Sequence, residues 1–314
     1  MKNNMKVPFS SSKTSKMFNI INKYKFFYIM LTPVIIWYVI FCYVPMYGII
    51  TAFQDYAMHR GILNSTFVGL KHFYELFNDD LFWRAFQNSL IIAGYRIIFE
   101  FPIPIILAIL INEVRRSWLN KTIQTIVYLP HFLSWVIVAS IILTIFNPDQ
   151  GLISAVMKLF GGKLSDNLIT ARTFRGVLIV TNIWKEAGWG MIIYIASISG
   201  IDVSLYEAAL VDGAGRFQRM WHITLPGIRS VIIVMLILAS GSIIQTGFDQ
   251  VFNLSNPLVM ETGDIIGTYV FRTVMKDYKL SYAAAIGLFN SVICTVLLTL
   301  TNWFAKVFNQ ESIY

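Results

Sequence analysis

Residues 207–226 read EAALVDGAGRFQRMWHITLP and lie between two long apolar segments. Residues 207–210 are all good helix formers and predict a short helix. Gly213 offers a left-handed residue that can end this helix. A helical pattern resumes over residues 216–222, and Leu225-Pro226 is expected to stop it before the next apolar run. Two short helices joined by a glycine bend are too small to form a core of their own, so this stretch is predicted to bind a partner at a membrane surface.

The spacing within this stretch is E-A-A, three residues, G, nine residues and then I-x-L-P. The positions that carry it are Glu207, Ala208, Ala209, Gly213, Ile223, Leu225 and Pro226. The spacing resembles the EAA loop of ABC importer permeases, the membrane subunits of binding-protein-dependent transporters. The resemblance implies that residues 201–228 form a cytoplasmic coupling loop, in which these positions and Arg216 fit a cleft of an ATPase subunit. Glu207, expected in the first turn of its helix, would then meet a basic residue of the ATPase. The alternative is a loop that only packs on the helical bundle.

The composition of the chain is typical of a membrane protein. Of its 314 residues, 56% are hydrophobic and 13% are charged, whereas soluble domains carry about 25% charged residues. The net charge of +8 comes from lysines and arginines at the ends of apolar runs. They do not form a basic groove with stacking aromatics, which argues against a nucleic-acid partner. Cys42 and Cys294 lie inside apolar runs and predict buried thiols, with neither a disulfide framework nor a metal site.

Six apolar runs are each long enough for the ~20 residues that a membrane helix needs. They are residues 26–53, 86–111, 122–146, 174–199, 229–252 and 283–307. The predicted fold is therefore an all-α polytopic membrane protein with six transmembrane helices, and the coupling loop lies between the fourth and fifth. Four prolines are expected to kink or open the first two runs: Pro33, Pro45, Pro102 and Pro104. The predicted domains are a basic tail over 1–25, a permease domain over 26–308 and a C-terminal tail over 309–314.

The distribution of lysine and arginine indicates the orientation of the chain in the membrane. With the N-terminus in the cytoplasm, thirteen of these residues fall on the cytoplasmic side and ten fall in the longer external loops. Both termini are therefore predicted to be cytoplasmic, and the coupling loop faces the same side. The predicted location is the bacterial cell membrane, where the chain crosses the lipid bilayer several times.

Two of the external segments are predicted to contain short helices. FVGLKHFYELF at residues 67–77 has an amphipathic pattern that is typical of a helix lying along the outer surface. Residues 151–163 favour a second short helix, ended by Gly161-Gly162. These helices would meet either an extracytoplasmic binding protein or only the membrane surface.

Polar side chains inside apolar runs are costly in lipid and are candidates for contact with cargo. On the fourth and fifth runs these candidates are Asn182, Lys185, Glu186, Trp189, Ser242, Gln245 and Asp249. Asn182, Glu186 and Trp189 share one helical face, as do the last three positions on the fifth run. Such a mixture suits a carbohydrate, because its hydroxyls need planar donors and acceptors while its C–H faces pack on aromatic rings. The alternative role is hydrogen bonding between helices.

Three other polar residues lie within apolar runs. Arg96 and Glu100 are four positions apart on the second run, so they are expected to form an ion pair with a structural role. His131 lies near the predicted cytoplasmic end of the third helix, on one face with Tyr128 and Trp135. It is expected to pack at that helix end, and proton coupling is its alternative role.

Longer stretches narrow the resemblance to the oligosaccharide permeases of this family. They are FPIPIILAILINE (101–113), YLPHFLSW (128–135), NIWKEAGWGMIIY (182–194) and LYEAALVDGAGRFQRMWHITLPG (205–227). The resemblance implies a heterodimer with a second homologous permease, two ABC ATPase subunits, an extracytoplasmic solute-binding protein and an oligosaccharide substrate. The chain has no G-x-x-x-x-G-K-[ST] motif. ATP and magnesium are therefore expected on the ATPase partners, with no cofactor and no enzymatic activity in this chain.

Two other transport functions remain open. One is an ABC permease for a solute other than a sugar. The other is an ion-coupled secondary transporter, with proton or sodium sites at Glu100, Glu186, Asp249 or His131. Such transporters often contain inverted repeats; no convincing repeat relates the two halves of this sequence, and the EAA spacing would have no explanation. The sequence contains no metal or nucleophile constellation that would indicate a membrane enzyme.

Overall fold

The computed structural model describes residues 22–148, 150–160, 169–242, 244 and 247–307. The basic tail predicted over residues 1–25 lies almost wholly outside this range, as does the C-terminal tail over 309–314. The chain divides into two compact units, one ending at Gly69 and the other beginning at Leu70. Each unit is described by itself.

The first unit contains one long helical segment followed by a small hairpin. Helix α1 (Lys25–Tyr38) continues into a π-helical turn (Val39–Tyr43) and a 3-10 segment (Val44–Phe53). The α-helix passes through Pro33, whereas Pro45 follows the π-turn, as expected of a proline that cannot donate a backbone hydrogen bond. The 29-residue segment Lys25–Phe53 is long and apolar enough to cross a membrane. Strands β1 (Gln54–Asp55) and β2 (Thr66–Phe67) then pair in antiparallel fashion.

Helices are the only regular secondary structure among the described residues of the second unit. Its helices are α2 Lys71–Phe77, α3 Asp80–Tyr95, α4 Pro102–Asn112, α5 Ser117–Tyr128, α6 Trp135–Ile145, α7 Leu152–Leu159, α8 Phe174–Ser199, α9 Val203–Val211, α10 Arg216–Arg219, α11 Leu225–Gly227, α12 Arg229–Ser242, α13 Phe248–Leu254, α14 Met260–Gly263, α15 Ile266–Met275 and α16 Leu280–Val307. Two π-turns, Arg96–Glu100 and Met220–Thr224, and one 3-10 turn, Leu129–Phe132, join neighbouring helices.

Two segments of this unit, Asp80–Asn112 and Leu280–Val307, are each long and apolar enough to cross a membrane. Three further pairs of helices pass the same test when each pair is taken together, with bends of 98°, 72° and 58°. They are Ser117–Phe132 with Trp135–Ile145, Phe174–Ser199 with Val203–Val211, and Arg216–Gly227 with Arg229–Ser242. Counting each bent pair as one span gives up to six spans over the described residues of both units. The predicted class, an all-α polytopic membrane protein, is confirmed.

The third predicted helix, 122–146, is wrong as a single straight element. A bend of 98° separates Ser117–Phe132 from Trp135–Ile145. Pro130 cannot donate to the preceding turn, and the Ser134 side chain accepts a hydrogen bond from the Ile137 N–H at 3.4 Å, which starts a new helix. Because apolar residues continue through the bend, the hydrophobic pattern alone does not predict where the helix is interrupted.

The fifth predicted helix, 229–252, is also interrupted. Helix α12 ends at Ser242, and α13 begins at Phe248 after Gly247, whose φ of +92° is left-handed. In the second run, by contrast, the predicted opening at Pro102 is confirmed. The Phe101 N–H reaches back five residues to the Arg96 carbonyl at 2.9 Å, which forms the π-turn before the proline.

Buried apolar side chains place α8 at the centre of the second unit. Its fully buried Phe174 and Leu178 belong to one cluster with Val138 of α6 and Val251 of α13. Farther along α8, Met191 lies in a second cluster with side chains of α4. One continuous 26-residue helix therefore connects both clusters.

Both predicted external helices are present in the structure. Helix α2 covers most of the predicted amphipathic stretch, but its Leu76 and His72 are buried against the core, so it does not simply lie along a surface. Helix α7 corresponds to the second prediction. Gly161-Gly162, predicted to end it, lies outside the described residues.

Candidate functional site: a polar cavity and the coupling loop

A cavity of about 420 Å³ lies among the π-turn Arg96–Glu100, α4, α6, α8, α12 and the residue before α13. The residues that line it are Arg96, Ile97, Glu100, Phe101, Pro104, Trp135, Asn182, Ile183, Glu186, Ala187, Trp189, Gly190, Ala239, Ser242 and Gly247. The wall is mostly apolar and carries two indoles and a few charged or amide groups. Concave sites with this composition are the usual places where small molecules bind.

The structure brings together four of the seven side chains predicted to touch cargo. Asn182, Glu186, Trp189 and Ser242 all line the cavity. Lys185 is buried behind the wall, with 5% of its surface exposed. Asp249 is exposed and is not among the lining residues. Gln245 lies outside the described residues. Contact of these side chains with cargo stays a prediction.

A first polar network crosses the cavity wall at Arg96. The predicted ion pair is confirmed, because Arg96 Nε lies 3.7 Å from a Glu100 oxygen. Asn182 donates to the other oxygen of Glu100 at 2.6 Å. Arg96 also donates to the side-chain amide oxygen of Gln250 at 2.8 Å, and the amide nitrogen of the fully buried Gln250 donates to the Leu178 backbone carbonyl at 2.6 Å.

Several lining residues were missing from the sequence-based set, and two of them are charged. Arg96 and Glu100 were expected to have only a structural role, although their position inside an apolar run was itself a signal of a polar cavity. Gly247 was not predicted as a site residue, because its importance depends on a contact with Arg96, which is distant in the sequence. A Cβ at this position would collide with the Arg96 guanidinium, so glycine allows the close approach.

A second polar network surrounds Glu186. One carboxylate oxygen lies 2.6 Å from His131 Nδ1, and the other accepts from Lys185 Nζ at 2.8 Å. Lys185 also donates to the His131 carbonyl at 2.9 Å, and its ammonium lies 5.5 Å from the centre of the Trp135 ring. The imidazole stacks on the Trp189 indole with ring centres 4.5 Å apart and planes 3° apart.

His131 lies in the 3-10 turn that ends the segment Ser117–Phe132, as expected of a residue that packs at a helix end, but its imidazole also joins the polar network of the cavity wall. The bend after Phe132 turns α6 away and leaves the imidazole facing the middle of α8. This contact joins residues 55 positions apart. The helical spacing of Tyr128, His131 and Trp135 does not predict a contact with Glu186.

The coupling loop forms the two short helical pieces that its sequence predicts. Gly213 has a left-handed φ of +78°, and the Ala214 N–H donates to the Ala209 carbonyl at 2.8 Å, which closes the first piece. Gln218 accepts from the Gly215 N–H at 2.7 Å at the start of the second. The Tyr206 hydroxyl lies 3.0 Å from the Thr224 hydroxyl and ties the two pieces together.

Two details of the loop differ from the prediction. Glu207 is in the second turn of α9, because the helix starts four residues earlier at Val203. Asp202 caps it instead, accepting from the Ser204 N–H at 2.9 Å, and this bond lowers the pKa of Asp202. Pro226 does not stop the helical path, which ends at Gly227.

The surface of the coupling loop is unusually apolar. Val211 is 88% exposed, Phe217 83% and Trp221 68%. Glu207 and Arg216 are exposed beside them. The two pieces enclose a cleft of about 310 Å³ lined by Gly213, Ala214 and neighbouring side chains. Large apolar side chains rimmed by charges indicate a protein interface.

Comparison with known proteins decides the family. Residues 101–311 match the protein family described as binding-protein-dependent transport system inner membrane component. The chain belongs to this family. It is therefore a membrane component of a transport system and not an enzyme.

Relatives within this family match nearly the whole chain. The polygalacturonan/rhamnogalacturonan transport system permease protein YteP of Bacillus subtilis (strain 168) is 43% identical over 308 residues, covering 98% of this chain and 96% of YteP. Protein LplB of the same organism is 43% identical over 290 residues, covering 92% of this chain and 91% of LplB. A chain of a bacterial alginate ABC transporter, crystallised in complex with an alginate pentasaccharide-bound periplasmic protein, is 38% identical with a TM-score of 0.87. That match covers 95% of this chain and 100% of the other.

Proposed function

We propose that this chain is one of two homologous permease subunits of an ATP-driven importer of oligosaccharides. It works with an extracytoplasmic solute-binding protein and with two separate ATPase subunits, which bind ATP and magnesium. The observation that carries the proposal is the position of the coupling loop. The loop joins α8 to α12, and both of these helices line the polar cavity.

The cavity has the chemistry that an oligosaccharide needs. Trp189, half of whose surface is exposed, offers an indole on which a sugar C–H face can pack. Asn182 and Glu186 offer a planar amide and a carboxylate to hydroxyl groups. The names of the relatives support the same cargo class, since they refer to polygalacturonan, rhamnogalacturonan and alginate.

Coupling runs through α8. At Gly188 a Cβ would collide with the Val127 backbone, and at Gly190 it would lie 3.1 Å from Pro104. Helices α4, α5 and α8 are thus packed too closely to slide independently. Closure of the ATPases would push the coupling loop, and this group of helices would carry the displacement to the cavity wall.

The orientation predicted from the basic residues completes the proposal. The coupling loop and both termini face the cytoplasm, and α2 and α7 face the exterior, where the binding protein delivers cargo. The charged networks at Arg96 and Glu186 remain paired within the wall, which lowers the cost of charge inside the membrane.

The test is uptake into proteoliposomes that contain the assembled transporter, with its binding protein supplied on the cargo side. Trigalacturonate and maltotriose serve as acidic and neutral probes. We expect uptake that requires ATP on the coupling-loop side and persists when proton and sodium gradients are abolished. Uptake driven by an ion gradient without ATP would instead favour a secondary transporter that uses the His131–Glu186 pair.

A further inference from the structure

The imidazole of His131 occupies an unusual place behind the cavity wall. It contacts two lining side chains, Glu186 through Nδ1 and Trp189 through its ring face. His131 itself is not among the described residues that line the cavity. Its side chain is 27% exposed, against 50% for the whole of Trp189. One side chain therefore supports two others that face the cavity.

The geometry of the stack determines what Trp189 can present. With planes 3° apart and ring centres at 4.5 Å, the imidazole covers one face of the indole. Phe132 meets the same indole edge-on at 6.4 Å. With these two contacts made, half of the surface of Trp189 is still exposed, and the side chain lines the cavity where cargo would bind. Without the imidazole, the side chain would be free to adopt other rotamers.

The second contact fixes Glu186. Its two oxygens are held from different directions, one by His131 and one by Lys185. Lys185 in turn donates to the backbone carbonyl of His131, so the three residues form a closed set of hydrogen bonds. This set joins the 3-10 turn at the bend to α8.

We propose that His131 is a positioning residue for the cavity wall, which orients the Trp189 indole and the Glu186 carboxylate toward an oligosaccharide without touching it. The transport consequences of this inference rest on the proposed function, whereas the orientation of Trp189 does not. Placement of first-contact groups by a second layer of packed, hydrogen-bonded residues is a general requirement of precise binding sites.

Two variants separate the two contacts. His131→Asn keeps an amide nitrogen near the position of Nδ1 for Glu186 but removes the ring that stacks on Trp189. His131→Phe keeps a stacking ring but removes the hydrogen bond. Tyr128→Phe is the matched control, since its hydroxyl contacts only Gln124 among the hydrogen bonds of the described residues, at 3.3 Å.

The first readout does not depend on cargo. The assembled transporter is prepared with 5-fluorotryptophan, and the Trp189 fluorine signal is assigned by its loss in Trp189→Phe. We expect His131→Asn to shift and broaden this signal, because the neighbouring ring current and the constraint are both lost. His131→Phe and Tyr128→Phe should leave it sharp. An unchanged, sharp signal in His131→Asn would overturn the inference.

The second readout is uptake of trigalacturonate by the same complexes. His131→Asn should raise the half-saturation concentration about twofold to tenfold, the loss expected for one aromatic contact, with little change in maximal rate. In a Trp189→Ala background the same substitution should have no further effect, and equal effects in both backgrounds would contradict positioning through Trp189. If the wild-type complex imports neither probe, the proposed function fails, while the fluorine signal still decides the role of His131.

Discussion

At the scale of single residues, Trp189 is the side chain whose role is most easily measured. It lies on the cavity wall with half of its surface exposed. We expect Trp189→Ala to weaken uptake several-fold to about tenfold, because the loss of an aromatic platform costs ~0.5–1.5 kcal/mol beyond area burial. Uptake of trigalacturonate by the assembled transporter measures it.

Trp184 provides the matched control for that substitution. It lies on the same helix and has the same 50% exposure, but it is not among the cavity-lining residues. Trp184→Ala should leave the half-saturation concentration unchanged. Equal effects of the two substitutions would mean that exposed indoles on α8 act through membrane packing and not through cargo.

Asp79 allows a prediction about pH at the end of α3. Burial opposes ionisation, but hydroxyl hydrogen bonds from Tyr269 and Tyr282 and backbone bonds from Phe82 and Leu81 hold the pKa of Asp79 below its ordinary value of 3.8. A lowered folded-state pKa adds stability that is present above the unfolded value and is lost as the pH falls through the folded value. The melting temperature of the complex should therefore drop below pH 3.8, and Asp79→Asn should make this drop shallower.

The neighbouring carboxylate is the control for this acid dependence. Asp80 is exposed, and it is the carboxylate of Asp79 that accepts the hydrogen bonds of Tyr269 and Tyr282. Asp80→Asn should show the same fall in melting temperature below pH 3.8 as the wild-type complex. If the melting temperature of Asp79→Asn fell with pH as steeply as that of the wild type, the tyrosine hydrogen bonds would not favour the ionised form of Asp79.

At the scale of elements, the coupling loop depends on one backbone conformation. Gly213 has a φ of +78°, and a Cβ there would meet no other atom within 4 Å. The Cβ added by Gly213→Leu would therefore strain the left-handed backbone, at a cost of ~1–2 kcal/mol, without a clash of its own. We expect this variant to lose coupling, measured as ATP hydrolysis stimulated by loaded binding protein, while the complex still assembles.

Gly215→Ala is the control within the same loop. Its φ of −68° suits any residue, and its Cβ would approach only the Gln218 side chain, at 3.7 Å. Normal stimulation is expected. If Gly213→Leu also retained normal stimulation, the left-handed bend would have no part in coupling.

The helices could be predicted from the sequence where a local property, such as the length of an apolar run, determines them. Length and apolarity located the membrane segments because lipid requires both. The breaks at residues 133–134 and after Ser242 were missed, since apolar side chains continue up to and beyond them. The cavity was predicted only in part, because local spacing identifies residues on one helix face but not contacts between distant segments. Helical spacing placed Asn182, Glu186 and Trp189 on one face, but the contact of His131 with Glu186 joins residues 55 positions apart, and no local pattern encodes it.

At the scale of the whole molecule, the topology itself is a prediction. Single cysteines at Ser65, Ser117, Lys163 and Glu261 can be introduced after replacement of Cys42 and Cys294. In intact cells, an impermeant maleimide should label every site except Ser117, the first residue of α5, on the predicted cytoplasmic side. Labelling at Ser117 would overturn the proposed orientation, and labelling at all sites after permeabilisation controls for reactivity.

The central claim is that an external ATPase drives this chain through the coupling loop, and Glu207 tests it most directly. Removing one partner of a buried charge pair at an interface costs about 2–5 kcal/mol, which is more than tenfold in affinity. Glu113, a carboxylate on the predicted cytoplasmic side but outside this loop and its cleft, supplies the matched control as Glu113→Ala.

The decisive measurement is ATP hydrolysis by the purified, assembled transporter, with and without loaded binding protein. We expect Glu207→Ala to reduce the stimulation by more than tenfold, while Glu113→Ala retains normal stimulation and the binding of cargo to the external protein is unchanged. Full stimulation in an assembled Glu207→Ala complex would contradict the central claim.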